Sequence, residues 1–398
     1  MLCQFTFRNF KSYKEETVLD FQATSGGTFQ DSLLCDSFLP VAVIYGPNAG
    51  GKSNVLKALN YVYTLVMRPI IVIRNPQSNN LWDVECKPFL FDEYSRNSPS
   101  EFELFFRSDE VYEYRYTVSV LDGHILSESL YRKKIGAKGQ PAMLFERSGS
   151  DVVLGASLRK SSINTGVNDS MPYLSFLAVN YRLEPIDTAI IWFEKCCMKN
   201  YANPFSEIRL FLRNDDDFKK KLITLMNETG VTIHDFQIQN EGDERVTITF
   251  QHKIDDKIYP LDIAQESDGT QKLFNVLPLV MIALSEGKLL VFDELDAKLH
   301  PKLLIFLIKL FKNKEINRHN AQLVFTSHDV SSMRSTVFRT DEIWFACKNT
   351  DESSDLYSLY ELRDEHHNHI SPSAAFDKQY LEGRYGADPY FQSMMNWG

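Results

Sequence analysis

Two stretches, far apart in the chain, combine residue types that can do phosphate chemistry. Gly46, Pro47, Asn48, Ala49, Gly50, Gly51, Lys52 and Ser53 fit the spacing GxxxxGK[ST], and Asn54 follows them. An apolar run, Val41-Ala-Val-Ile-Tyr45, comes before, and a helical pattern of Leu56, Leu59 and Tyr63 comes after. That strand, loop and helix context separates a phosphate site from an ordinary glycine-rich turn. Glycines let amide N–H groups converge on phosphate oxygens, and the helix N-terminus adds positive potential. Lys52 supplies a point charge for β- and γ-phosphates, and the Ser53 hydroxyl can ligate Mg²⁺. The second stretch, Leu289-Leu-Val-Phe292, is an apolar strand ending in Asp293 and Glu294. An aspartate at such a strand end can orient Mg²⁺ near the phosphate loop. Glu294, next along, can polarise an attacking water.

Two smaller signals extend the set. Ser267 and Gly269 lie in Gln265-Glu-Ser-Asp-Gly-Thr-Gln271, just before a helical stretch. They would place a second phosphate-binding device at a helix N-terminus. One chain does not easily bring two such helix ends to one γ-phosphate, so the second is expected to serve a neighbouring subunit. His328 ends the run Leu323-Val-Phe-Thr-Ser and could reach a γ-phosphate. A lone histidine after a strand is more often structural, but here four signals occur in one order.

The elements that must position these residues are legible in part. With 398 residues, 43% hydrophobic, the chain can bury a sizeable core and is long enough for two to three domains. A net charge of −10 argues against a general nucleic-acid coat. No apolar run approaches a bilayer span, the longest being Val276–Leu284 and Leu303–Ile308, and the N-terminus lacks a secretion-signal pattern. Six scattered cysteines are expected to be free thiols, which points to a cytoplasmic protein with no membrane partner. Leu2–Asn9 reads as a strand. Tyr112, Tyr114, Tyr116, Val118 and Val120 alternate with Glu113, Arg115, Thr117 and Ser119, and Asp122-Gly123 marks a hairpin. An antiparallel lobe is therefore expected over about 85–155. Helical spacing dominates about 170–230, with Cys196 and Cys197 as helix-packing residues. Beyond it, strands and helices alternate, which argues for an α/β core with parallel strands. Pro278 should kink or split the helix at 270–286. The basic residues Arg132, Lys133, Lys134, Lys138, Arg147, Arg159 and Lys160 suggest a solvated loop, with contact to a nucleic-acid backbone as the alternative. His366, His367 and His369 read as a solvated loop rather than a metal site.

Taken together, the motif order resembles the ABC-type ATPases of the RecF, SMC and OLD group. The opening Phe7-Arg-Asn-Phe-Lys-Ser12 is similar to that group's N-terminal strand motif, and Leu295-Asp296 through His300-Pro301 to its D-loop. The resemblance implies an α/β fold: an ATPase head with a mixed-sheet core carrying the phosphate loop, an antiparallel β lobe, and a helical insertion. It divides the chain into residues 1–160, a helical arm over 161–240, and 241–398. It also implies a head-to-head dimer with ATP between one subunit's phosphate loop and the other's signature motif. Residue by residue, Lys52 would bind phosphate, Ser53 and Asp293 hold Mg²⁺, and Glu294 act as base. Asp296 would line the dimer seam, Ser267 and Gly269 act in trans, and His328 sense the γ-phosphate. Gln77 and Gln140 stay open for the group's Q-loop position. Ala49 stands where such loops often carry glycine.

The closing Tyr380-Leu-Glu-Gly-Arg-Tyr-Gly-Ala-Asp-Pro389 resembles the tail of RloA-like ATPases, which accompany nuclease partners in anti-phage systems. The stretch after His328 is shorter than a Toprim nuclease, so such an effector is expected on a separate chain. A nucleic acid or phage protein is then the expected trigger. A RecF-like ATP-dependent DNA-binding repair protein is the alternative.

Overall fold

The computed structural model describes residues 1–74, 85–159, 162–199, 216–241, 245–364 and 366–387. Among these, the strands form three sheets. The core sheet has the order β16 (Ser354–Ser358), β15 (Ile343–Lys348), β3 (Val41–Tyr45), β14 (Gln322–Thr326), β13 (Leu289–Phe292) and β9 (Cys196–Lys199). All its pairings are parallel except β15 with β16. Every residue of β3, β13 and β14 is buried. Such continuous apolar runs are what a parallel sheet covered on both faces requires. Their alternate side chains enter different cores: Ala42, Ile44, Val291 and Val324 on one face, Val43, Tyr45, Phe292 and Phe325 on the other.

The first core is closed by the lobe. Its sheet is antiparallel: β2 (Thr17–Asp20), β1 (Leu2–Arg8), β4 (Ser100–Arg107), β5 (Tyr112–Leu121), β6 (His124–Lys134), β7 (Ala142–Ser148) and β8 (Asp151–Leu154). The lobe therefore recruits the N-terminal strand and is larger than the expected 85–155. Asp122 (φ 51°) and Gly123 (φ 80°) make the β5–β6 turn as the sequence suggested. Gln322, buried at the start of β14, joins lobe to core. Its side chain accepts from the Leu2 amide (2.6 Å) and donates to the carbonyls of Leu2 (3.0 Å) and Leu39 (3.1 Å).

Between the two sheets lie α1 (Lys52–Arg74), α3 (Tyr173–Asn180) and α4 (Glu184–Glu194), with a short α2 (Glu93–Arg96) at the lobe's margin. Helix α1 corrects one expectation. By length and a mean hydropathy of 1.4 it could cross a membrane, although no sequence run looked long enough. It instead starts at Lys52 and buries Val55, Leu56, Leu59, Val62, Val66 and Ile70 in the core, as the central helix of a globular fold does.

The span 161–240 also departs from a purely helical arm. Besides α3, α4 and α5 (Asp216–Glu228) it contains β9, which pairs in parallel with β13. Cys196 and Cys197 are thus sheet residues, not helix-packing ones. β10 (Asp235–Glu241) crosses the expected boundary at 240 and pairs with β11 (Arg245–Ile254) and β12 (Lys257–Asp262) in a small antiparallel sheet. The second core packs that sheet, α5, α6 (Asp268–Glu286), α7 (Pro301–Lys312) and α8 (Phe376–Leu381) against the other face of the core sheet. Helix α6 runs unbroken through Pro278 and stops at Gly287, which caps it at φ 67°. A proline in a buried helix loses one backbone bond, but packing on both sides keeps the helix whole.

About half of the basic stretch 131–159 is strand, and Lys160 lies outside the described residues. Arg147 points inward: it and Glu128 are fully buried 3.8 Å apart. Arg147 donates to the carbonyls of Gly149, Asn168 and Met171. Glu128 accepts from the amides of Tyr173 (2.6 Å) and Leu174 (3.0 Å) and from Tyr116 (3.1 Å). It therefore caps α3 in place of Pro172, whose own side chain cannot. Burial pushes the Glu128 carboxyl pKa up, against these hydrogen bonds and Arg147. Helix α3 in turn packs on α1, with Ser175 Oγ donating to the Val66 carbonyl at 2.7 Å. Glu128→Ala, which strands the buried Arg147 charge, should cost about 3–5 kcal/mol. A denaturant midpoint shift much smaller than that would show the pair to be dispensable.

Candidate functional site

The geometry of the site follows from strand register. Leu323 to Thr326 pair with Val41 to Ile44, and Leu289 to Phe292 pair with Gln322 to Phe325. Parallel neighbours end at the same edge, so the segments leaving β3, β13 and β14 emerge side by side. Those segments carry the phosphate loop, Asp293-Glu294 and His328 respectively.

The loop after β3 is held by close backbone contacts. Gly46 sits at φ 143°, and a Cβ there would lie 2.1 Å from the Ala346 carbonyl of β15. Gly51, at φ 109°, leaves no room beside Ser354 Oγ (2.6 Å) and Tyr13 OH (3.0 Å). Asn54 Nδ2 donates to Ser12 Oγ (2.8 Å), while the Ser354 amide donates to the Ser12 carbonyl. The N-terminal motif and β16 thus buttress the loop from behind. Ala49 adopts φ 61°, a left-handed conformation that costs a non-glycine residue about 1–2 kcal/mol. Glycine would adopt this conformation without that cost.

Lys52 opens α1 and folds back, donating to the carbonyls of Gly46 (2.8 Å) and Pro47 (2.9 Å). Burial lowers its pKa, while Asp293, Glu294 and Asp296 oppose the shift. Ser53 Oγ donates to Asp293 Oδ1 at 3.0 Å. Thr326, at the end of β14, donates to that same oxygen (2.6 Å) and accepts from the Glu294 amide (2.7 Å). Glu294 itself is left-handed at φ 50°. Its Oε1 lies 3.9 Å from His328 Nε2. Asn48 to Asn54, Glu294 and His328 line one pocket, with Asp293 and Thr326 outside its lining. Ser53 and Asp293 present two hard oxygen donors to one point, a set that fits Mg²⁺.

Ser267 and Gly269 do not line that pocket. Ser267 is the N-cap of α6, accepting from the Thr270 amide at 3.2 Å, as a residue preceding a helix should. It is exposed, and Gly269 is half-buried against the Lys298 carbonyl (3.2 Å to an added Cβ). Asp296 turns toward its own chain. Its Oδ2 accepts from the amides of His328 and Asp329, each at 3.0 Å, and so fixes the His328 segment. Of the two Q-loop candidates, Gln77 lies outside the described residues and Gln140 is exposed between β6 and β7. Sequence reading missed Thr326 and Lys272. Thr326 looked like the last residue of a strand. Lys272, which no motif singles out, is 7% exposed and donates to the Glu294 carbonyl at 3.3 Å. Burial brings its pKa down to about 8, against the attraction of Asp296 and Glu294. No group of three or more histidine, cysteine or carboxylate side chains clusters as a metal site among the described residues, the 366–369 histidines included.

A sequence profile described as "AAA domain, putative AbiEii toxin, Type IV TA system" (AAA_21) matches residues 41–334. The chain belongs to that family. The AAA_21 match begins at β3 and ends just past His328, so it takes in every strand end of the site. Among solved structures, the chain is similar to an Smc head bound to the C-winged helix domain of ScpA. That match has 14% identity and a TM-score of 0.48, covering 90% of this chain and 97% of that one. An SMC head domain from Thermotoga maritima matches at 16% identity and TM-score 0.41 (90% and 98% covered). The recombination mediator RecF with ATP matches at 14% and 0.33 (90% and 99%). No curated protein sequence matches at a significant level. With all three TM-scores below 0.5, the assignment rests on the family profile.

Thr326→Val removes one hydroxyl that serves two partners. It should deprive the Glu294 amide of its part-buried acceptor, destabilising by about 0.5–1.5 kcal/mol. It should also raise the Mg²⁺ concentration needed to retain a fluorescent ATP analogue. Parental Mg²⁺ dependence in that titration would separate Thr326 from the metal site.

Proposed function

We propose that this AAA_21 member is the ATP-binding and hydrolysing subunit of a prokaryotic anti-phage system, dimerising on ATP and gating a separate effector. The observation that carries the reading is the convergence of Lys52, Ser53, Asp293, Glu294 and His328 at three adjacent parallel strand ends. In it, the loop amides from Gly46 to Ser53 and the Lys52 ammonium grip the β- and γ-phosphates, with Asn54 beside them. Mg²⁺, held by Ser53 and Asp293, would neutralise charge on the phosphate oxygens. Glu294 orients the attacking water and takes its proton, and His328, 3.9 Å from Glu294, senses the γ-phosphate. Ser267, exposed at the α6 N-terminus, and Gly269 reach the γ-phosphate of the partner subunit, with Asp296 along the seam. Only contacts that differ between ATP and ADP states can transmit a signal, and a γ-phosphate bridging two subunits is such a contact. The effector, on this reading, is a Toprim-type nuclease or a toxin in the cytoplasm.

The RecF-like alternative needs a basic surface for DNA. Arg147 is internal and Arg132 pairs with Glu184 at 2.8 Å, which weakens the stretch that would have supplied it.

Glu294→Gln should slow phosphate release by about 10²-fold or more while MgATP still binds and doubles the mass in light scattering. Parental turnover would remove Glu294 as the base; a monomer with ATP bound would remove the dimer. Expressed with its neighbouring genes and purified in ATP, the same variant should retain a nuclease-like or toxin-like protein. DNA or replication proteins in its place would establish the alternative.

A further inference from the structure

Glu294 is gripped by its backbone from two sides. Its amide donates to Thr326 Oγ1 at 2.7 Å, from the end of β14. Its carbonyl accepts from Lys272 Nζ at 3.3 Å, from the second turn of α6. The residue between these anchors is left-handed, at φ 50°, a conformation the backbone does not prefer without restraint. Two more contacts fasten α6 to the loop after β13. Lys298 Nζ pairs with Asp268 Oδ2 at 3.1 Å, and Gly269 approaches the Lys298 carbonyl closely, an added Cβ lying 3.2 Å from it. The negative charges of Asp296 and Glu294 favour the charged Lys272 amine, and the positive charge of Lys298 opposes it.

We infer that Lys272 is a positioning residue: it ties the helix that begins at Ser267 to the peptide that aims the Glu294 carboxylate. The direction of a side chain is set by its backbone dihedrals, so turning this peptide swings the carboxylate away from the water it must orient. A shift of about 1 Å in such a group costs about 10²-fold in rate. A ligand that engages the α6 N-terminus therefore acts on Glu294 of the same chain, and the two nucleotide sites of a dimer are coupled through Lys272. A lysine suits the task because its ammonium makes a charge-assisted bond on a long apolar stem that packs inside the fold.

The inference rests on Glu294 being the base, and the test separates the two claims. In the full chain, Lys272→Met keeps the stem and deletes the donor, whereas Lys272→Arg keeps a donor. Steady-state turnover, equilibrium MgATP affinity and the thermal midpoint are measured for both. The methionine variant should lose about tenfold or more in kcat, with MgATP affinity within about twofold of the parent, and the arginine variant should recover most of the loss. Should methionine not fold, Lys272→Leu, which likewise deletes the donor on an apolar stem, is read in the same way. Parental kcat in a folded donor-deleted variant would overturn the inference. So would a loss of affinity in step with the loss of turnover. Turnover abolished by Glu294→Gln but untouched by Lys272→Met would sink this inference alone; parental turnover in Glu294→Gln would sink the base assignment beneath it.

Discussion

Everything at the site depends on one constraint, the in-register parallel pairing of β13, β14 and β3. A parallel ladder fixes not only which strands are neighbours but where each stops. The loop that follows each strand therefore starts at a defined height above the sheet. Residues 52, 293 and 328 are remote in sequence, yet the ladder delivers the segments that carry them to one edge of the sheet. Thr326 makes this concrete. As the last residue of the middle strand it contacts the side chain of Asp293 and the backbone of Glu294 on the neighbouring strand end, while Asp293 in turn meets Ser53. A one-residue slip of β14 would invert its faces and pull this hydroxyl away from all of them.

The strands that carry the site were legible because their chemistry is local. Four or five consecutive apolar residues bounded by glycine or carboxylates can only be comfortable in a sheet covered on both faces. Ser267 was legible as a helix start for a similar reason, since an N-cap needs only the three residues that follow it. β9 was not legible. Four residues attached to the end of α4 continue a helical pattern in sequence, and their pairing partner, β13, is some ninety positions away. Periodicity reports which face a residue shows, not which distant strand it will meet. Arg147 and Lys272 escaped for a second reason. Arg147 read as a solvated charge because an isolated charge is costly to bury, but it reaches three carbonyls, and Lys272 the Glu294 carbonyl, acceptors that only the folded chain assembles.

Supports for the phosphate loop come from three remote segments. The N-terminal Ser12-Tyr13, the β15 carbonyl of Ala346 and Ser354 of β16 all press on glycines whose missing side chains make the approach possible. A loop that must offer its amides to an anion cannot also satisfy them within itself, so its shape has to be imposed from outside. The buried Glu128–Arg147 pair plays the same part at longer range, because it starts α3, which packs on the helix that Lys52 begins. Ala49, left-handed without being glycine, marks where that imposed shape is tightest.

The tie made by Gln322 has a consequence for how the chain comes to be folded. The lobe's hairpins from β4 to β8 join neighbours in sequence and can form as soon as they are synthesised. Strand β3, by contrast, gains its partners β14 and β15 only from residues beyond 320, and Leu2 waits for Gln322. Until then the chain presents an assembled antiparallel lobe beside an apolar strand with two bare edges. Such an edge invites pairing with another chain. On the ribosome, the most hazardous interval for this protein is therefore the long elongation between residues 45 and 326, when β3 is already made and its cover is not.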